Sequence, residues 1–358
     1  EPQQTFEFIK VKTEPLPSLL RDFSAPVILK YEYQPSQLAF LMAHDSDPFC
    51  RWDASQQLML QCLQHNISEY QANRPLNLPA EVIEAFQKTL SRRADDPALT
   101  AELLALPNES FVGDQMEIID VKAVHDVRAF ARKTLAQALR SEFLATYHEC
   151  VRDTVYSTDA KEIARRSLQN ISLSYLMTLQ DPEVQALCTK QYETANNMTE
   201  VAVALACLCH HEAPGYQEAL ASFYDKWQED ALVIDKWLSI QSTSPAASTL
   251  ENVQTLMQHQ SFSIQNPNKV RSLIGGFCAQ NRINFHAADG QGYAFLGDQI
   301  LALDALNPQI AARMASIFNH WRRFDSERQL LMQAQLQRIV KQDGLSPDVF
   351  EIASKALA

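Results

Sequence analysis

Three short stretches of this chain bring together residue types that could do chemistry. His148-Glu149 and His211-Glu212 each begin the pattern His-Glu-x-x-His. On a helix that spacing puts two imidazoles on one face to grip zinc, with the glutamate beside them as general base. Arg152 stands where the first stretch needs its second ligand, and Gly215 where the second does. Pro214 would also break a helix there. Neither stretch is expected to bind zinc. Cys207-Leu208-Cys209-His210-His211 is the densest group of thiols and imidazoles. No second ligand pair follows at zinc-ribbon spacing. Cys207 continues the apolar run Val201 to Ala206, and buried cysteine behaves as a small hydrophobe, so core packing is expected. An independent enzyme built on Cys207 to His211 is the competing reading, and stoichiometric metal would favour it. No phosphate-binding Gly-x-x-x-x-Gly-Lys loop and no Gly-x-Ser-x-Gly elbow is present. Asp289-Gly290-Gln291-Gly292 has no lysine and reads as a turn, as does Gly275-Gly276. Trp321-Arg322-Arg323-Phe324 mixes cations with rings, the composition that stacks on nucleic acid. In an acidic chain it reads instead as a helix end, where arginines suit the dipole.

The elements that would position these residues are helical. The chain has 358 residues, 46% hydrophobic and 21% charged, the balance of a globular protein able to bury a large core. Only 8 residues are glycine, and Gly113 alone precedes Gly215. Hairpins use glycine for positive φ, whereas helix interiors avoid it. Five helix starts share one device, a polar N-cap followed by proline: Asp47-Pro48, Asp96-Pro97, Asp181-Pro182, Asn307-Pro308 and Ser346-Pro347. The side chain caps an orphan N–H, and proline lacks the N–H that the first turn leaves unbonded. Helices are predicted near 48–65, 79–93, 97–105, 121–149, 160–177, 182–193, 199–211, 215–229, 231–240, 246–258, 267–280, 293–305, 308–320, 325–341 and 347–356. Within 121–149, Val124, Val127, Phe130, Ala131, Leu135, Ala138 and Leu139 recur at helical spacing.

The fold class expected is therefore mainly α, an irregular α-solenoid of antiparallel helix pairs without a fixed sequence period. Two β-strands should precede it, at 5–12 and 27–33, where aromatic and β-branched residues concentrate. Two strands are unstable alone and should belong to a larger sheet.

Charge and apolar patterning narrow the partners. A net charge of −12 argues against nucleic acid, which needs a basic footprint. No run of 18 apolar residues exists, so no membrane span is expected. Glu1 to Thr5 carry no basic or apolar leader region, so no signal peptide is expected. Seven cysteines without framework spacing suit free thiols in a reducing cytoplasm.

Residues alone leave the function open, but ordered segments across nearly the whole chain resemble the aminopeptidase N family of bacterial zinc metallopeptidases. Pro17 to Val27 is similar to the end of that family's β-sandwich domain. Phe49-Cys50-Arg51-Trp52-Asp53-Ala54 resembles the opening of its helical domain. Ala195-Asn196-Asn197-Met198-Thr199, Asp235-Lys236-Trp237, Phe285-His286-Ala287 and the closing Lys355-Ala356-Leu357-Ala358 resemble later stretches. The longest match is Asn266-Pro267-Asn268-Lys269-Val270-Arg271-Ser272-Leu273-Ile274-Gly275.

The resemblance implies that residues 1–34 are the remnant of a β-sandwich domain and 35–358 a carboxy-terminal helical domain. It implies a non-catalytic cap that encloses the active site and controls peptide access, with the parent's catalytic domain and peptide substrates as partners. Zinc and the amine-gripping Gly-x-Met-Glu-Asn motif would lie in the parent's catalytic domain. Gly113-Asp114-Gln115-Met116-Glu117 only superficially echoes that motif. This chain would have no catalytic residue, no metal ligand and no cofactor, and would be inactive alone. Two arginines of the family's helical domain meet the substrate, and their matching positions are Arg271 and Arg313. Gln309 lies one helical turn before Arg313, so both could share a surface. Read without the resemblance, both arginines are ordinary helix-surface cations. The alternative function is a free-standing helical scaffold for protein–protein interaction.

Overall fold

The computed structural model describes residues 3–152 and 155–358. All five Asx/Ser-Pro starts cap as expected. Asp47 accepts from the Cys50 N–H, Asp96 from Leu99, Asp181 from Val184, Asn307 from Ile310 and Ser346 from Val349. Each side chain satisfies a donor that the first helical turn leaves free. Asn266-Pro267 repeats the device, and Gln34 and Gln37 form a capping box that starts an unanticipated helix, Pro35–His44.

The helices form an irregular α-solenoid in which sequence neighbours pack as pairs. One hydrophobic core runs through it from Tyr33 to Ala356. At its middle, Phe143 stacks on Tyr175 with ring centroids 4.6 Å apart, and the Tyr175 hydroxyl donates to the Leu104 carbonyl at 2.6 Å. The body also curves back on itself. The Ile119 N–H donates to the Arg323 carbonyl at 2.6 Å, and the Arg323 guanidinium reaches the Gly113 and Met116 carbonyls. This clasp joins segments some two hundred residues apart.

Four sequence expectations are corrected. First, no strand forms among the described residues; 5–12 and 27–33 are irregular. Their apolar side chains, such as Phe8 at 81% and Ile28 at 90% exposure, face solvent. Strand-forming residues need a sheet edge to pair with, and the helical body offers none. The segment is held at 17–24 instead: Arg21 pairs with Asp45 at 2.8 Å, and Tyr33 donates to the Pro17 carbonyl. Second, the single helix expected over 121–149 is two, Val121–Ala138 and Arg140–Cys150. Leu139 leaves helical geometry at φ −117° without any proline or glycine; it and Phe143 are buried, so packing rather than a local signal makes the bend. Third, Gly275-Gly276 is no turn but lies inside a ten-residue π-helix, Arg271–Gln280. Fourth, 308–320 ends its α-helix at Ala315 and continues as a 3-10 segment, Ser316–Arg323.

Candidate functional site

Arg271 opens the π-helix directly after the short helix Pro267–Val270. Lys269 anchors that start: its Nζ donates to the Ala231 carbonyl at 2.9 Å and pairs with Asp235 at 2.8 Å. The segments 266–275 and 235–237 therefore meet in space through a buried ion pair. The wide π turn is held against the helix Ala231–Ser242. Ser242 donates to the Ser272 carbonyl at 3.0 Å, and Asn281 donates to the Ser242 and Ser244 carbonyls at 3.0 and 2.6 Å. Gly276 sits so close to this wall that a Cβ there would fall 2.3 Å from the Ser242 hydroxyl. π-turns recur at functional positions because they shift side chains off the α-helical register.

Gln309 and Arg313 stand one turn apart on the helix Pro308–Ala315, both exposed, as their spacing implies. Arg271 is exposed as well. Neither arginine side chain makes a hydrogen bond or ion pair among the described residues. Both guanidiniums thus remain available, unlike Arg322 and Arg323. Arg322 donates to the Ala356 and Leu357 carbonyls at 2.7 and 2.8 Å, and Trp321 donates to Ala356 at 2.8 Å. The Trp-Arg-Arg-Phe tetrapeptide is occupied in closing helix ends.

The Cys207 to His211 group divides. Cys207 is buried beside the Ser174 hydroxyl at 3.7 Å, and Cys209 is buried too. All seven cysteines are free and buried. The His210 Nε2 donates to the Ile240 carbonyl at 2.9 Å, and burial holds its imidazole neutral by lowering its pKa. His211 is lowered too, to about 4, by burial and then by Arg132 and His210. Among the described residues no three His, Cys, Asp or Glu side chains are grouped to hold a metal. Glu149 of the other near-miss is paired with Arg93 at 2.8 Å.

The two histidines face a cavity of about 870 Å³, which the sequence reading did not anticipate. One wall is the helix Val121–Ala138, which contributes His125, Arg128, Arg132 and Lys133. The opposite wall is built from helix ends, including the last turn of the π-helix and Arg282 just beyond it. His125 Nδ1 pairs with Glu109 at 2.8 Å, which raises the imidazole pKa against the opposing effect of burial. Arg128 donates to the Pro107 carbonyl at 2.8 Å, and burial and then Arg132 pull its pKa below the usual arginine range. Arg271, Gln309 and Arg313 are not among the residues that line this cavity. The signal for it was present: 125, 128, 132 and 133 recur at helical spacing beside the apolar stripe.

No helix of the described residues is long and apolar enough to cross a membrane. Residues 35–358 match a family described as a domain of unknown function, DUF3458_C, with ARM repeats. Residues 1–32 match a companion family, DUF3458, described as an Ig-like fold. The chain is 40% identical over 356 residues to aminopeptidase N of Escherichia coli, covering 99% of this chain and 41% of that protein. It is 38% identical to aminopeptidase N of Haemophilus influenzae over 100% of this chain and 41% of that one. A solved structure of Legionella pneumophila aminopeptidase A in complex with aspartic acid superposes with a TM-score of 0.88. It is 31% identical, and the match covers 98% of this chain and 42% of that one. The chain thus spans about two fifths of the length of the relatives it matches.

Proposed function

This chain belongs to the ARM-repeat family DUF3458_C and corresponds to the carboxy-terminal part of bacterial aminopeptidase N; on that premise we propose that it is the non-catalytic helical cap of an aminopeptidase that removes amino-terminal residues from peptides. The observation that carries this reading is the match itself, nearly the whole of this chain against 41% of a protein named for the activity. In this reading residues 1–34 are the remnant of a β-sandwich domain, and 35–358 form the helical domain that closes over the active site. Enclosure admits peptides through narrow openings and excludes water, which strengthens the electrostatic contacts inside.

Zinc belongs to the remainder of the parent in this reading, where it supplies Lewis acidity and an activated water. The thiols and imidazoles of this chain do not fit it: Cys207 packs beside Ser174, and His210 is bonded to a carbonyl. Arg271, Arg313 and Gln309 are proposed to line the substrate cavity, supported by the exposure and free guanidiniums of the two arginines. A guanidinium offers a planar fork of donors to a peptide carboxylate. A reducing, cytoplasmic compartment completes the proposal, supported by seven unpaired buried thiols.

Add-back tests the reading. The chain is titrated into the separately purified remainder of an aminopeptidase N, and hydrolysis of an aminoacyl reporter is followed. A saturable rise from near zero is expected; a complex that forms but stays inactive overturns the cap. In the active assembly, Arg271→Ala or Arg313→Ala should lower kcat/KM on a tetrapeptide about tenfold, the scale of one charge-assisted hydrogen bond. The aminoacyl reporter should be hardly affected. Unchanged tetrapeptide kinetics would remove both arginines from the substrate path.

A further inference from the structure

We propose that the central cavity is a binding site for an acidic, carboxylate-bearing peptide. Its volume of about 870 Å³ lies within the range of ligand sites. Its lining holds four permanent cations, Arg128, Arg132, Lys133 and Arg282, and a single carboxylate, Glu109. Glu109 is already engaged by His125 at 2.8 Å.

Arg128 is held by the Pro107 carbonyl, but the other three cations are not consumed by the protein. Among the described residues the side chains of Arg132, Lys133 and Arg282 make no hydrogen bond or ion pair; Arg132 only rests over the Tyr175 ring, 5.4 Å from its centroid. The helix ends across the cavity carry partial negative charge, which would suit these cations. At one of these ends, that of Ala231–Ser242, other groups already meet the carbonyls: His210 bonds Ile240, and Asn281 bonds Ser242 and Ser244. Like charges gathered in a concave, partly desolvated space repel one another and focus a positive potential. An anion offsets that repulsion, so the empty arrangement costs stability that a ligand restores.

The rest of the lining selects the class of anion. It contains no phenylalanine, tyrosine or tryptophan on which a base could stack. It offers the free amides of Gln180 and Gln280, which can donate to and accept from peptide groups. Spread cations with amides between them suit carboxylates distributed along a short peptide. The inference does not rest on the cap reading, because binding is read on this chain alone, without catalysis.

Calorimetric titration of the full chain with tri-glutamate tests it, with tri-lysine and inorganic phosphate as comparison probes. Saturable one-to-one binding of tri-glutamate is expected, weakening as salt screens the charges. Tri-lysine should not bind. Arg132→Gln and Lys133→Gln should each weaken tri-glutamate about fivefold or more, and Glu109→Gln should tighten it, as follows from removing one cation or the one anion. Should Arg132→Gln fail to fold, the exposed Lys133→Gln decides. No saturable binding of tri-glutamate at 10 mM (about the weakest affinity worth assigning) overturns the site. So does an unchanged affinity in a folded Lys133→Gln. Phosphate that binds as tightly as tri-glutamate and competes with it overturns the peptide assignment.

Discussion

His125 and His211 line the same cavity but respond to pH in opposite directions. His125 gains a partner on folding: its bond to Glu109 raises its pKa. That stabilisation is complete below the unfolded value of about 6.5 and fades as pH rises through the higher folded value. His211 loses solvent on folding, and burial holds it at about 4. Below about pH 6.5 the unfolded chain takes up a proton that the folded chain refuses, so stability falls from there toward pH 4. Urea unfolding across this range checks both. The stability lost in His125→Gln should be larger at pH 6 than at pH 9. His211→Asn should flatten the acid limb between pH 6.5 and 4. Curves parallel to the native one would contradict the two assignments.

At the level of elements, the π-helix positions both Arg271 at its start and, through Asn281, Arg282 at its end. Its two glycines are not equivalent. A Cβ on Gly276 would strike the Ser242 hydroxyl, whereas one on Gly275 finds its nearest neighbour at 3.8 Å. Gly276→Ala should therefore destabilise the chain by about 1–3 kcal/mol, the usual penalty of overpacking. Gly275→Ala should be neutral or gain up to about 1 kcal/mol from helix propensity. Thermal melts of the two variants separate the outcomes; equal melts would mean that Ser242 yields to the new methyl. Close packing of the π-helix on Ala231–Ser242 was not legible in the sequence, because the contact joins residues thirty or more positions apart.

For the whole molecule, the exposed apolar stretch at the amino-terminal side stands out from an otherwise well-buried core. Phe6, Phe8, Ile9 and Ile28 all face solvent. Exposed apolar side chains grouped in one part of a chain mark surfaces that associate. The chain should self-associate in sedimentation velocity as concentration rises, and a variant carrying Phe6→Ser, Phe8→Ser, Ile9→Ser and Ile28→Ser should stay monomeric. A native chain that sediments as a monomer at every concentration would show that this stretch folds onto the body in solution. The clasp between Arg323 and the 113–119 segment belongs to this scale too, since it joins parts of the row of helix pairs some two hundred residues apart.

What the sequence determined by itself is local. Glycine scarcity, the Asx/Ser-Pro caps and the three-to-four apolar spacing each act within one turn of helix, so the helices near 48, 97, 182, 308 and 347 were readable from a few residues. The strand signals at 5–12 and 27–33 were equally local, yet a strand is completed by its neighbour, and these residues have none among those described. The bend at Leu139, the π register at 271–280 and the basic cavity depend on contacts distant in the chain. His125, Arg128, Arg132 and Lys133 could be seen to share a face, but only the fold opposed that face to Arg282 across a hollow rather than to water. Charge on a helix surface is solvated by default; it acquires a function when tertiary structure encloses it.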